Sequence, residues 1–296
     1  MGTSQSSGGP GGGVPMVPPW TPPPPPQPPP PPPDDEGADD GAEDGTQPSQ
    51  APAIAVPAAV QPSVARPIPI APGARFSGAR RSLGEFARSG DGRDLRRGLG
   101  HYVRSGYGGS STVTRRFGGT AATAGALDSA LGGGSADGGE ASAEARLDPA
   151  LLAGKSVGEV MDAVVEAVRP IDGTQDAEAE RASVRDALSE LLTRFPEADI
   201  LNLEPEQRAY AIERFTAIDV YRRFDLDLGK TIRDKAPSAV TALSRLKQAK
   251  DYVKETVAAA FRKARDAGRS VTTGRVNQIV RDALRETFEV FEGYAE

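Results

Sequence analysis

The distribution of proline constrains this chain more than any other feature. Residues 1–72 contain 22 of its 27 prolines, and their only aromatic side chain is Trp20. A stretch of this composition cannot bury enough apolar surface to offset the entropy lost on folding. Within it, Pro22–Pro33 favours a polyproline II rod, and the acidic run Asp34–Asp44 follows. The sequence therefore predicts that residues 1–72 form a long disordered Gly/Pro-rich tail with an acidic block.

Arginine is concentrated directly after this tail. Residues 73–120 contain ten Arg, no Lys and three acids, which gives them a charge of +7, whereas residues 1–72 carry −6 and residues 121–296 carry −7. Arginine makes planar, multidentate contacts with carboxylates and phosphates. We therefore predict a basic Arg/Gly-rich docking segment over residues 73–139. Its targets could be acids of the same chain, nucleic acid or an acidic partner protein.

The rest of the chain, residues 140–296, predicts an α-helical body. Ser156 and Glu159 form a capping box ahead of the first helix, and Pro170 ends that helix. Apolar residues then recur at helical spacing, and no alternating pattern typical of strands appears. The predicted fold class is all-α, a helical bundle preceded by the tail.

The predicted helices have the following bounds. In the docking segment they run from Gly92 to Arg104 and from Ser110 to Leu131, the second interrupted by Gly118 and Gly119. In the body they run from Thr174 to Phe195, from Pro205 past Leu228, from the capping Ser238 to Gly268, and from Thr272 or Thr273 towards the C-terminus. In the helix after Ser238, we expect Leu243 and Leu246 to face the core.

The composition excludes several kinds of catalytic site. There is no Cys and His101 is the only His, which excludes thiolate nucleophiles, zinc–cysteine sites and multi-histidine metal sites. Gly154-Lys155-Ser156 and Gly229-Lys230-Thr231 lack the first glycine of a phosphate-binding loop and follow no predicted strand. We expect His101 to pack or to make hydrogen bonds.

The carboxylates of the helices are expected to lie on faces opposite the apolar stripes, as solvated side chains or in ion pairs. This prediction covers Glu178, Glu180, Asp219, Asp225 and Asp227. Nothing in the sequence places two of them in one dry site, so we predict that the chain is not an enzyme and uses no cofactor. No apolar stretch approaches the about 18 residues of a membrane span, no secretory signal is evident, and the lack of Cys fits a cytoplasmic location.

Two parts of the sequence resemble a known family. The first comprises Met1-Gly2-Thr3-Ser4, Gly8-Gly9-Pro10 and Val17-Pro18-Pro19-Trp20, and the second comprises Gly98–Gly106, Gly108-Gly109-Ser110 and Thr114-Arg115-Arg116. Together they resemble QatB, a component of the four-gene Qat anti-phage defence systems. The resemblance implies a bacterial cytoplasmic defence protein without an enzymatic role of its own. It also implies partners, namely an ATPase, a QueC-like enzyme and a TatD-like nuclease.

The resemblance leads to a functional hypothesis. QueC-like enzymes join an activated carboxylate to an amine, and removal of Met1 would leave the amine of Gly2 as a modification site. The leading hypothesis is an adaptor that presents this tail and docks partners through its basic segment. The predicted docking residues are Arg80, Arg81, Arg96, Arg97, His101, Tyr102, Arg104, Arg115 and Arg116. The alternative hypothesis is a nucleic-acid-binding module that uses residues 75–116.

Overall fold

The described part of the chain is built from helices alone. The computed structural model describes residues 74–132, 147, 152, 154–269 and 276–295, and it contains no strand in these ranges. The all-α prediction is confirmed. The predicted disorder of residues 1–72 lies outside the described residues, and the domain boundary between residues 139 and 140 stays a prediction.

Ten α-helices are described. They are α1 (Ser77–Ser89), α2 (Gly92–His101), α3 (Ser110–Arg116), α4 (Gly118–Ala130), α5 (Val157–Val168), α6 (Gln175–Arg194), α7 (Pro205–Phe224), α8 (Lys230–Lys235), α9 (Ala239–Asp266) and α10 (Val276–Glu292). Two π-helical turns, Tyr102–Tyr107 and Asp225–Gly229, follow α2 and α7, and the short 3-10 helix Gly293–Ala295 follows α10.

Local capping signals set several of the helix ends. The Ser156 hydroxyl accepts a hydrogen bond from the Glu159 N–H while the Glu159 carboxylate accepts one from the Ser156 N–H, as the capping box predicts. Thr174 and Ser238 cap α6 and α9 through their hydroxyls, and Pro205 occupies the first turn of α7. These starts were predicted because each of these contacts forms within one helical turn.

The basic segment folds differently from its prediction. Helix α1 was not expected, and the predicted helix over residues 110–131 is divided at Phe117, which leaves helical geometry one residue before Gly118 (φ −88°, ψ 20°). The Phe117 ring is buried, with its centroid 5.0 Å from that of Phe288 in α10. The break therefore allows an aromatic side chain to enter the core between α3 and α4.

One core joins the basic segment to the body. Antiparallel α6 and α7 pack together, α7 also contacts α9, and α9 packs on α10, which in turn contacts α3 and α4. Buried aromatic rings come from both regions: Phe86, Tyr102, Phe117, Phe215, Phe224, Phe288 and Phe291. Elements from residues 76 to 131 thus share a hydrophobic core with the later helices.

The prediction that Leu243 faces the core was wrong. Its side chain is 68% exposed, while Ala242 and Leu246 are buried. The first turn of α9 packs on one side only, and Leu243 lies about 100° around the helix from Ala242. Val240, one turn earlier on the same side of the helix, is also exposed.

Candidate docking site

Helices α1 and α2 form a closely packed helical hairpin. Gly90 turns the chain between them in a left-handed conformation (φ 77°), and Asp91 caps α2 by accepting a hydrogen bond from the Arg93 N–H at 2.8 Å. A Cβ on Gly98 would lie 2.8 Å from the side chain of Leu83. The glycines of this segment therefore permit a close approach of the two helices, with the arginines on their outer faces.

Most of the predicted docking arginines are exposed on this hairpin and on the helix that follows it. The exposed residues are Arg80, Arg81, Arg97, Arg104, Arg115 and Arg116, and Arg96 is half-buried. The ion pairs of the segment within the described residues are local ones, from Arg93 to Asp91 and from Arg97 to Asp94. No described ion pair therefore joins the arginines of these helices to a carboxylate of the later helices, although Arg104 acts electrostatically on Glu292 of α10.

The acids of the body form their ion pairs instead with cations that also belong to the body, often on a different helix. Lys254 Nζ lies 2.7 Å from a Glu190 oxygen, and Arg222 Nη2 lies 2.6 Å from Asp186 Oδ2. Asp225, one of the acids predicted to be solvated or ion-paired, binds Arg233 at 2.6 Å. Charge is therefore balanced locally within the body.

Three of the predicted docking residues meet in one cleft. Arg81 of α1 and Arg97 and His101 of α2 line a space of about 500 Å³ between the two helices, together with Ser77, Ser82 and Glu85. A Cβ on Gly78 would lie 3.1 Å from His101 Cγ, so the imidazole lies against the backbone of α1. Arg80, Arg96, Arg104, Arg115 and Arg116 are not among the residues that line this cleft.

Tyr102, one of the predicted docking residues, is buried beneath the arginine surface. It is 2% exposed, so a partner at this surface cannot reach its side chain. Its hydroxyl donates to Asp227 Oδ2 at 3.0 Å, and the Tyr107 hydroxyl donates to the same oxygen at 2.8 Å. Burial raises the pKa of Tyr107 to about 12 and that of Tyr102 well above its ordinary value, so both phenols remain donors. These bonds join the two π-helical turns, one of which contains Asp227.

Two acids predicted to be solvated or ion-paired are both ion-paired, and they are buried in one site. Asp219 of α7 is 0% exposed and Glu180 of α6 is 1% exposed. Thr120 of α4 donates to Asp219 Oδ2 at 2.7 Å, and Thr123 donates to Glu180 Oε2 at 2.9 Å. The expectation that no two carboxylates share a dry site was therefore wrong.

Arg223 holds these two carboxylates together. Its Nη2 lies 2.7 Å from Glu180 Oε1 and its Nε lies 3.5 Å from Asp219 Oδ2, while Arg169 Nε lies 2.8 Å from Glu180 Oε2. Burial raises the pKa of Asp219 to about 6, against the opposing effect of Arg223. A sequence signal existed, since Asp219 follows the core residue Phe215 by four positions and so shares its face.

The remaining predictions concern metals, membranes and the N-terminus. Across the described ranges, no three His, Asp or Glu side chains are grouped as a metal site would require. None of the described helices has the length and apolar character needed to cross a membrane. The predicted modification site, Gly2, lies outside the described residues.

Fold and site together define an all-α protein whose first helices expose an arginine-rich surface beside a helical core. Residues 108–291 match the family model described as Qat anti-phage system associated protein QatB. This match covers more than half of the chain, which therefore belongs to the QatB family. No curated protein and no solved structure matches the chain in the corresponding comparisons.

The family match covers only some of the stretches that carry the sequence resemblance. The match begins at Gly108, so it includes Gly108–Ser110 and Thr114–Arg116 but neither the N-terminal motifs nor Gly98–Gly106. It extends over helices α3 to α10, whose apolar periodicity by itself is too generic to indicate a family. Membership makes the chain a component of an anti-phage defence system.

Proposed function

We propose that this chain is a non-enzymatic adaptor of a cytoplasmic Qat defence complex. The observation that carries the proposal is the exposed arginine surface of α1 to α3, formed by Arg80, Arg81, Arg97, Arg104, Arg115 and Arg116. Described acids of the body form their ion pairs with cations of the body, which leaves this surface available for an acidic partner protein. Arginine suits such a surface because its planar guanidinium binds carboxylates through two parallel hydrogen bonds.

The adaptor proposal includes presentation of the N-terminal tail to a QueC-like partner. Gly2 has no side chain to hinder its amine, and residues 2–13 carry no charged side chain. An α-amine with a pKa of about 7.7–8.0 is substantially neutral and nucleophilic near pH 7.5. The ATPase, the QueC-like enzyme and the TatD-like nuclease are the proposed partners, by the resemblance described above.

Charge reversal of the arginine surface tests the adaptor proposal. The variant Arg104→Glu, Arg115→Glu and Arg116→Glu should lose co-purification with the other Qat proteins while its helical circular dichroism stays unchanged. A matched control reverses three exposed cations of the body, Lys247, Arg262 and Lys263, with the same change in net charge. Equal co-purification of both variants and the wild type would contradict the proposal.

Nucleic-acid binding is the alternative favoured by the same exposed arginines. A protein that neutralises Z phosphates of duplex DNA shows a log–log salt slope of about −0.9Z. Labelled DNA should therefore be titrated with the wild type and both charge-reversal variants across a salt series. No binding at low salt removes this alternative. Steep salt dependence that is lost only when Arg104, Arg115 and Arg116 are reversed would support it over the adaptor.

Modification of Gly2 has a direct test. Intact-mass and N-terminal peptide mass spectrometry should show a mass increase on Gly2 after co-expression with the QueC-like partner and ATP. The control is Gly8→Pro, which makes the same substitution in the same glycine-rich stretch and keeps the Gly2 amine. An unmodified Gly2 together with intact defence in a Gly2→Pro variant would exclude this part of the proposal.

A further inference from the structure

We infer that the cleft between α1 and α2 is a binding site for a peptide carboxylate, supplied by an acidic segment of a partner protein. The site comprises Arg81 and Glu85 of α1 and Arg97 and His101 of α2. This inference rests on the proposed adaptor function and adds one specific carboxylate site to the wider arginine surface. The cleft holds about 500 Å³, enough for one or two side chains and the backbone between them.

The donors in the cleft are available to a ligand. Arg81 forms no ion pair with a described residue, although Glu85 lies one turn away on the same helix. Arg97 uses Nη1 for Asp94 at 3.2 Å, and its remaining guanidinium nitrogens make no hydrogen bond in the described part of the chain. Two guanidinium groups on opposite walls can therefore bind the two oxygens of one carboxylate.

The shape of the cleft depends on a glycine. Because Gly78 has no side chain, the His101 ring rests against α1, and the same residue lines the cleft. A methyl group at residue 78 would approach the ring to 3.1 Å, tighter than most real contacts, so the ring would have to move. His101 is thus fixed at the edge of the cleft, where its ring can donate to a bound carboxylate.

The acids near the cleft favour a peptide over a polynucleotide. Glu85 lines the cleft and Asp94 contacts Arg97, so closely spaced phosphates would meet two carboxylates as well as two guanidinium groups. A peptide suits this mixture because its carboxylate binds the arginines while its backbone N–H groups donate to Glu85 or to a serine hydroxyl. The cleft therefore matches a ligand that carries both a single negative charge and hydrogen-bond donors.

The lone histidine provides the test. Since His101 is the only His of the chain, full-length protein labelled with ¹³C and ¹⁵N histidine gives one imidazole signal, and that signal reports on the cleft. The probes are an acetylated and amidated peptide of alternating Glu and Gly, its Gln counterpart, inorganic phosphate and a single-stranded oligonucleotide, all at constant pH and ionic strength. We expect a saturable shift of the His101 signal with the Glu peptide and none with the Gln peptide.

Variants identify the groups responsible. Arg81→Gln and Arg97→Gln should each weaken the response to the Glu peptide about tenfold, which corresponds to about 1.4 kcal/mol. Arg88→Gln is the matched control, since Arg88 is exposed on α1 but does not line the cleft. A response equal in Arg81→Gln and Arg88→Gln, or absent in the wild type, would overturn the inference. A response to phosphate or oligonucleotide alone would replace the peptide with that ligand.

The outcomes also separate this inference from the adaptor proposal. If Arg81→Gln and Arg97→Gln retain both the His101 response and co-purification, the cleft is not the site although the adaptor proposal stands. If co-purification fails in the wild type but the Glu peptide still shifts the His101 signal, the cleft binds carboxylates and the adaptor proposal falls.

Discussion

Replacing Arg223 with methionine should destabilise the fold more than any exposed arginine substitution. Methionine keeps an apolar stem of similar length, so the change mainly removes the positive charge. Asp219 and Glu180, at 0% and 1% exposed, would then share a dry site without the guanidinium that binds them both. Breaking a buried ion pair by removing one partner costs about 3–5 kcal/mol.

The structure places the expected loss near the lower end of that range. Glu180 keeps Arg169 at 2.8 Å and the hydroxyl of Thr123 at 2.9 Å, and Asp219 keeps the hydroxyl of Thr120 at 2.7 Å. Asp219 can also take up a proton, since burial already raises its pKa to about 6. We therefore expect a loss of about 3 kcal/mol at pH 7.5, and a smaller loss at pH 5.

Urea denaturation followed by circular dichroism measures this loss. The control is Arg93→Met, which removes an arginine that is 79% exposed and 3.6 Å from its acid. Such a pair contributes about 0–1 kcal/mol. A double variant, Arg223→Met with Asp219→Asn, should recover part of the lost stability because one buried charge is removed. A loss below about 1 kcal/mol for Arg223→Met at pH 7.5, or one that does not shrink at pH 5, would refute this reasoning.

Three further predictions concern single positions. The folded-state pKa of Asp219, about 6, lies above the unfolded value of about 3.9, so the folded state holds this proton more tightly. The stability of the wild type relative to Asp219→Asn should therefore fall by about 2 kcal/mol as pH rises from 4 to 7, measured by urea denaturation; a pH-independent difference would contradict this. Ser156→Ala removes a helix cap and should lower the free energy of unfolding by about 1 kcal/mol in the same assay. An unchanged free energy of unfolding would contradict the capping role of Ser156. Gly100→Ala would place a Cβ 2.5 Å from the backbone of the C-terminal 3-10 helix. The thermal midpoint of this variant should therefore fall well below that of Gly92→Ala, whose added Cβ meets nothing within 4 Å.

Helix starts were predictable because their signals are local. Ser156, Thr174 and Ser238 each cap a helix by accepting a hydrogen bond from the N–H three residues further on, and Pro205 marks the start of α7. Helix α1 was missed for a related reason. No side-chain cap marks its start, and although Ala79, Leu83 and Phe86 recur at helical spacing, the helix is also rich in Gly and Ser and is stabilised by packing against α2 and α8.

The candidate docking site was predicted only in part. Sequence identified Arg81, Arg97 and His101 as docking residues, because arginine without lysine in a glycine-rich block is a compositional signal. It could not show that these three line one cleft while Arg115 lies elsewhere, since that depends on the turn at Gly90. Nor could it show that Tyr102 points into the core.

The sequence by itself determined the all-α class, the caps that begin the helices and the positive charge of residues 73–120, because each follows from composition or from interactions within about one helical turn. Only the tertiary structure decided which polar groups are buried. Asp219 loses contact with water because Thr120, which is 99 residues away, and Glu180 of α6 pack around it. Burial is set by neighbours distant in the sequence, and no local pattern specifies which helices will supply them.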